Sequence, residues 1–161
     1  MALKNYLENQ ESATATLAVP SGVCVVENCQ LSGNSKRREP EEMEKTVFGY
    51  ELVMDLSECD LSVMRSKKKL TEYVNKLCKL IKMKKYGKVQ LPYFGLEKPQ
   101  TKGYSLLQFI ETSSITGHFS EHWRKSYINI FSCKPYNHRL AANFTKKFFG
   151  SKHAKIRFLV R

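Results

Sequence analysis

VFGYELVMDLSECDLSVMRSKKKLTEYVNKLCKLIKMKK, residues 47–85, changes its hydrophobic period part-way, and that change decides the fold class. Over residues 47–56 apolar and polar side chains alternate, with Phe48, Tyr50, Leu52, Met54 and Leu56 on one side, which predicts a strand. Residues 58–62 read as a turn. Over residues 67–85 the period lengthens. Leu70, Val74, Leu77 and Ile81 recur at intervals of 4, 3 and 4, while Lys69, Lys76 and Lys79 face water. That spacing predicts an amphipathic helix stopped at Gly87. A one-sided helix beside a half-buried strand calls for two packed layers.

Downstream, residues 89–94 read as a short strand and residues 95–103 as a loop bearing Pro and Lys. Residues 104–112 and 127–132 are further strands. Asn137 caps a helix reaching Phe149, with Leu140, Phe144 and Phe148 inward and Gly150 at its end. Residues 156–160 close the sheet. The order β-α-β-β-β-α-β gives an α+β fold, a two-layer α/β sandwich with an antiparallel or mixed sheet and two helices on one face.

Upstream the texture differs. Residues 1–45 mix Glu, Ser, Asn and Thr with two short apolar pieces and a charged stretch at 36–44, without a sustained period. They are expected to be a disordered N-terminal extension, leaving residues 46–161 as the folded domain. A chain of 161 residues suits one such domain. No run of 18 apolar residues occurs, so no membrane span is expected. The first eleven residues carry Lys4, Glu8 and Glu11 and lack an apolar core, which argues against a secretory signal. Five cysteines without regular spacing point to a reducing, cytoplasmic setting rather than a disulfide scaffold. Cys24 and Cys29 form a lone C-x4-C with no second pair, so no metal site is expected there.

Net charge is +12, made of −2 over residues 1–45 and +14 over residues 46–161. An excess of this size raises nucleic acid as a partner. The basic residues are spread along the chain rather than gathered into one arm, and they read as a lysine-rich solvated surface. Nucleic acid is therefore not the expected partner.

Reactive residue types concentrate in GYSLLQFIETSSITGHFSEHWRKSYINIFSCK, residues 103–134. If residues 104–112 are extended, Ser105, Leu107, Phe109, Glu111 and Ser113 share one face. Tyr127, Asn129, Phe131 and Cys133 likewise share one face, with Ile128 and Ile130 turned towards the helices. Cys133 thus lies on the less apolar side of the sheet, whereas Cys78 falls on the helix stripe as core filling. Alone, Thr112-Ser113-Ser114 reads as an exposed turn or a cap. A zinc reading fails, because Cys133 with His118 and His122 supplies at most three ligands. A Cys–His nucleophile pair lacks an oxyanion-hole motif.

Taken together, the stretches GYELVMDLSECD (49–60), GYS (103–105), ETSSITGH (111–118) and INIFSCKP (128–135) resemble the S-adenosylmethionine decarboxylase family in its short, self-processing prokaryotic form. Family members place a serine eight residues before the self-cleaving serine, a histidine five after it and a cysteine twenty after it; Ser105, Ser113, His118 and Cys133 fill those positions here. The resemblance implies that Ser113 attacks the carbonyl of Thr112 and that the chain is cut between Thr112 and Ser113. A β chain would end at Thr112, and the α chain would begin with a pyruvoyl group made from Ser113. That cofactor would form a Schiff base with the substrate amine and act as electron sink for loss of CO2. Ser105 and His118 would serve processing, and Cys133 would return a proton to the product carbon. The family usually has Glu before the cleaving serine; here Thr112 stands there, with Glu111 one step earlier. Aligning on Glu111 breaks the spacing to His118 and Cys133, so Ser113 is kept as nucleophile. The family's ribose-holding acid has its nearest counterpart in Glu121, displaced by one. The loop before GYS is longer than usual, and no adenine-stacking aromatic can be named from it.

On one extended strand Ser105 and Ser113 lie roughly 26 Å apart. They cannot serve one peptide bond within a chain, so the homodimer with shared sites that the resemblance implies is expected. Ser113 and Cys133 would come from one protomer, Ser105 and His118 from the other. The activity so implied is decarboxylation of S-adenosylmethionine, supplying the aminopropyl donor for polyamine (spermidine) synthesis. Alternatives are the same chemistry on arginine or ornithine, or a non-catalytic member of the family.

Overall fold

The computed structural model describes residues 47–161; the expected extension over residues 1–45 lies outside the described residues. Along the chain run β1 (Tyr50–Ser57), α1 (Leu61–Met64), α2 (Lys67–Leu80), β2 (Lys85–Gln90), β3 (Tyr93–Phe94), β4 (Gly103–Ile110), β5 (Ser113–Ser120), β6 (Lys125–Ser132), α3 (His138–Phe148) and β7 (His153–Val160). The strands make one sheet in the order β2-β4-β5-β6-β1-β7, with β3 beside β4, and each observed pairing is antiparallel. The α+β sandwich expected from the period change is the one observed. No helix among the described residues is long and apolar enough to cross a membrane.

Alternation sorts the sheet's two faces. Leu52, Met54 and Leu56 of β1, Ile115 and Phe119 of β5, and Ile128 and Ile130 of β6 are buried beneath the helices. Opposite them, Tyr127, Asn129 and Phe131 lie on a face that no helix covers. Ser66 caps α2, whose stripe of Leu70, Tyr73, Val74, Leu77 and Cys78 is buried. Each such aliphatic side chain stabilises the fold by about 1.5–3 kcal/mol. The helix stops earlier than expected. Lys82 turns the chain with φ +55° and Met83 N–H donates to Cys78 O at 2.8 Å, so the chain enters β2 at Lys85 and Gly87 sits inside a strand. The residues expected as turn, 58–62, instead lead into α1, whose N-terminus is capped by Asp60 accepting from Ser62 N–H at 2.8 Å.

Asn137 caps α3 as expected, accepting from Leu140 N–H at 2.9 Å. Its inward stripe is rotated from the expected one. Ala141, Ala142, Thr145 and Phe149 are buried, whereas Leu140, Phe144 and Phe148 are half-buried. Small residues let α3 approach the sheet, and Phe144 and Phe148 fill the seam with α2 by packing on Tyr73 at centroid distances of 6.0 and 5.4 Å. At the same seam the buried Tyr73 hydroxyl meets Thr145 Oγ1 at 3.0 Å.

The largest departure from the expected order is β5. Residues 112–114 do not end in a loop; Glu111 and Thr112 turn the chain, and Ser113–Ser120 returns antiparallel to β4. The inward positions of β5 are Ile115, Gly117 and Phe119, so its apolar alternation is broken in the middle. Gly117 leaves room for the Phe119 ring, whose tip lies 3.2 Å from where a Cβ would stand.

Candidate active site

The turn between β4 and β5 places Thr112 and Ser113 beside the end of β6. Ser113 pairs with Ser132, so Cys133 follows one step beyond. Ser113 Oγ stands 3.9 Å from Cys133 Sγ, and the Cys133 thiol donates to the Thr112 carbonyl oxygen at 3.3 Å. Hydroxyl, thiol and the carbonyl of the residue before the serine thus meet at one half-exposed spot. Glu111 holds the turn from the other side. Its N–H donates to Lys84 O at 2.9 Å, and its carboxylate pairs with Lys84 Nζ at 2.9 Å, which raises the lysine's pKa.

A second cluster lies at the far end of the same hairpin. Ser105 on β4 is directly opposite His118 on β5, and Ser105 Oγ meets His118 Nδ1 at 2.9 Å on the open face. Gly103 makes this pairing possible, because a Cβ there would stand 1.8 Å from Phe119 O. Beyond the pair, Glu121 takes a hydrogen-bonded ion pair from Arg65 Nε at 2.7 Å and a hydrogen bond from Tyr93 Oη at 2.9 Å. Burial, then the neighbouring Glu121 carboxylate, push the Tyr93 phenol above its usual pKa. Glu121 and Glu111 therefore mark opposite ends of the hairpin, and the structure does not bring them together.

Four residues selected by spacing thus form two pairs. Ser113 does not share the face of Ser105 through one strand, as an extended 104–113 segment predicts. The strand ends at Ile110, and Ser113 opens the next one in register with the inward set Ile115, Gly117 and Phe119, opposite the buried Ser132. His118 lies five residues along β5 from Ser113, about 17 Å. The hairpin therefore shortens the separation from that of a single strand, yet 17 Å still exceeds any hydrogen bond.

Sequence reading missed the aromatic groups that flank each pair. Phe48 is 72% exposed, with its ring stacked on Phe131 at 6.4 Å, and the Arg161 guanidinium lies 5.6 Å from the same Phe131 ring. Gly49 permits this arrangement, since a Cβ there would stand 2.8 Å from Phe131. Phe131 precedes Cys133 by two residues on the open face, so this cluster belongs to the Ser113 end. Phe94 is 56% exposed and pairs with Gly103, while its neighbour Tyr93 sits edge-on to Tyr104 at 4.9 Å on the helix side. Phe94 therefore falls on the open face beside Ser105. The only sequence signal was an aromatic residue next to a glycine, Phe48-Gly49 and Phe94-Gly95, which is too common to select either. Among the described residues no group of three or more His, Cys, Asp or Glu side chains could hold a metal ion.

No curated protein sequence matches the chain. A solved structure, the adenosylmethionine decarboxylase from Aquifex aeolicus VF5, superposes with a TM-score of 0.61 at 15% identity, over 71% of this chain and 91% of that one. At that identity the likeness establishes the fold alone. A family model, S-adenosylmethionine decarboxylase, matches residues 50–161, which include both pairs and the whole sheet. By that match the chain belongs to the S-adenosylmethionine decarboxylase family.

Proposed function

We propose that the chain is a self-processing, pyruvoyl-dependent decarboxylase of S-adenosylmethionine that supplies an aminopropyl donor for polyamine synthesis. The observation that carries this reading is the meeting of Ser113 Oγ, Cys133 Sγ and the Thr112 carbonyl. Ser113 Oγ attacks the Thr112 carbonyl carbon, a C–O bond forms, and the peptide C–N bond breaks, freeing the Ser113 amine. Loss of the Ser113 α-proton then expels the Thr112 carboxylate, and hydrolysis releases ammonia. The residues present suit the group so made, because its precursor sits at a turn open to substrate with a thiol alongside. The pyruvoyl ketone supplies an electron sink for loss of CO2 from an α-amino acid. Cys133 holds the proton that is returned to the product carbon.

Processing also needs a base, and within one chain His118 is about 17 Å from Ser113. A two-fold dimer resolves this by setting the Ser113–Cys133 end of one protomer against the Ser105–His118 end of its partner. The uncovered sheet face, which carries Ser105, His118, Phe131 and Cys133, is the surface that would be buried. In such an arrangement Phe48 and Phe94 would lie at the shared site, where two exposed rings would offer faces for a purine to stack on. Ser105 Oγ engages His118 Nδ1, which orients the ring, and Nε2 is the nitrogen proposed to move the proton.

Intact mass of the denatured protein tests this reading. The expected products are residues 1–112 and a 49-residue chain, Ser113 to Arg161, whose N-terminus reacts with a carbonyl reagent. Ser113→Ala is expected to stay whole. A wild-type chain that remains uncut after long incubation overturns self-processing and favours a non-catalytic family member.

A further inference from the structure

Away from the site, the fold gathers on its helical layer the lysines that the sequence spreads along the chain. We propose that this layer is a docking surface for the phosphate backbone of a nucleic-acid duplex. Helices α2 and α3 contain one acid, Glu72, against Lys67, Lys68, Lys69, Lys76, Lys79, Arg139, Lys146 and Lys147. Glu72 is matched within its own helix by Lys76 at 2.6 Å. Lys68, Lys79 and Lys82 form none of the close ion pairs among the described residues, Lys68 acting on Glu72 only at longer range. A shallow groove of about 460 Å³ runs along α2, lined by Thr71, Asn75 and the paired Glu72 and Lys76 between Lys68 and Lys79.

Charge without apolar anchors selects the occupant. None of the large exposed apolar side chains lies on α2 or α3. A protein partner needs an apolar interface core, which this layer lacks. Single strands are held by stacking on aromatic rings, and no exposed ring is offered here. A duplex backbone needs neither, only cations at intervals that match its phosphates. Lys68 and Lys79 are eleven residues apart on the helix, about 16 Å, a span that covers about five phosphates of one strand. The surface lies on the opposite side of the sheet from Ser105 and His118, so it stands independently of the decarboxylase reading.

Fluorescence anisotropy on the full chain, with a DNA duplex of about 20 base pairs as probe, decides the matter through the salt dependence. Three phosphate contacts, from Lys68, Lys79 and Lys82, give a slope of log K against log salt of about −2.7. The double variant Lys68→Gln/Lys79→Gln is expected to reduce that slope by about 2 and to weaken binding at least about tenfold at low salt. Lys125→Gln/Lys155→Gln, which removes the same charge from the sheet, is expected to leave both unchanged. The proposal fails if the two double variants lose binding equally, since net charge would then be the cause. It also fails if a single strand of the same sequence, or polyglutamate, binds more tightly than the duplex.

Discussion

Co-expressing Ser113→Ala with His118→Ala chains separates a shared site from one built within a chain. The register of β4 and β5 places His118 opposite Ser105 and Ser113 opposite Ile110, so the two groups are about 17 Å apart in one protomer. Proton transfer needs roughly 3 Å. With His118 as the proposed base, a site within one chain would not operate, and neither variant alone is expected to process. In a two-fold dimer each site takes Ser113 from one protomer and His118 from the other. A hybrid then holds one site lacking both groups and one site with both intact. Random pairing makes about half of all dimers hybrids, so about half of the His118→Ala chains should be cut and none of the Ser113→Ala chains. Intact mass with a short tag on one chain reads both fractions, and native mass spectrometry counts the hybrids. If hybrids form at that level and no His118→Ala chain is cut, the trans geometry is wrong.

Cys133→Ala should still permit cleavage, because a thiol is a weak donor to the Thr112 carbonyl, yet decarboxylation should fall by about 10²- to 10⁴-fold. Equal loss of both steps in a turnover and mass assay would rule out the division of labour. Gly103→Ala should destabilise the protein by at least about 2 kcal/mol, since its Cβ would meet Phe119 O at 1.8 Å and force β4 from β5. A denaturant midpoint unchanged from wild type would refute that contact. His138 stacks on Phe158 at 3.8 Å, and burial holds its pKa below the ordinary histidine value. The stability it contributes as a neutral ring is complete above about pH 6.5 and is lost as pH falls through the lower folded value. His138→Gln should flatten that part of the Tm–pH curve; an unchanged slope between about pH 7 and 5 would exclude the ring as its source.

Much of the fold was legible because strong periods leave strong marks. The stripe from Leu70 to Ile81 and the alternation from Leu52 to Leu56 each commit one face to a core, and the structure buries both. Helix ends were less legible. At Lys82 a lysine makes the left-handed turn that a glycine usually makes, and no local signal announces it. The four candidate residues were selected by spacing, which does not depend on reading the secondary structure correctly.

What the sequence determined by itself was the α+β class, the helices and most of the strands, and it proposed the set Ser105, Ser113, His118 and Cys133. Spacing and the family resemblance already set Ser113 with Cys133 and Ser105 with His118; only the tertiary structure shows the strand that carries this division. Strand β5 has Gly117 at its central inward position, so its local pattern is too weak to declare a strand. It exists because β4 and β6 supply hydrogen-bond partners on both sides. Once it forms, its register puts Ser105 against His118 and leaves Ser113 with Cys133, a separation that hydrophobic pattern could not reveal. The same holds for Phe48, Phe94 and the lysines of α2. Which face a side chain occupies is local, but what lies opposite it depends on contacts between segments distant in the chain.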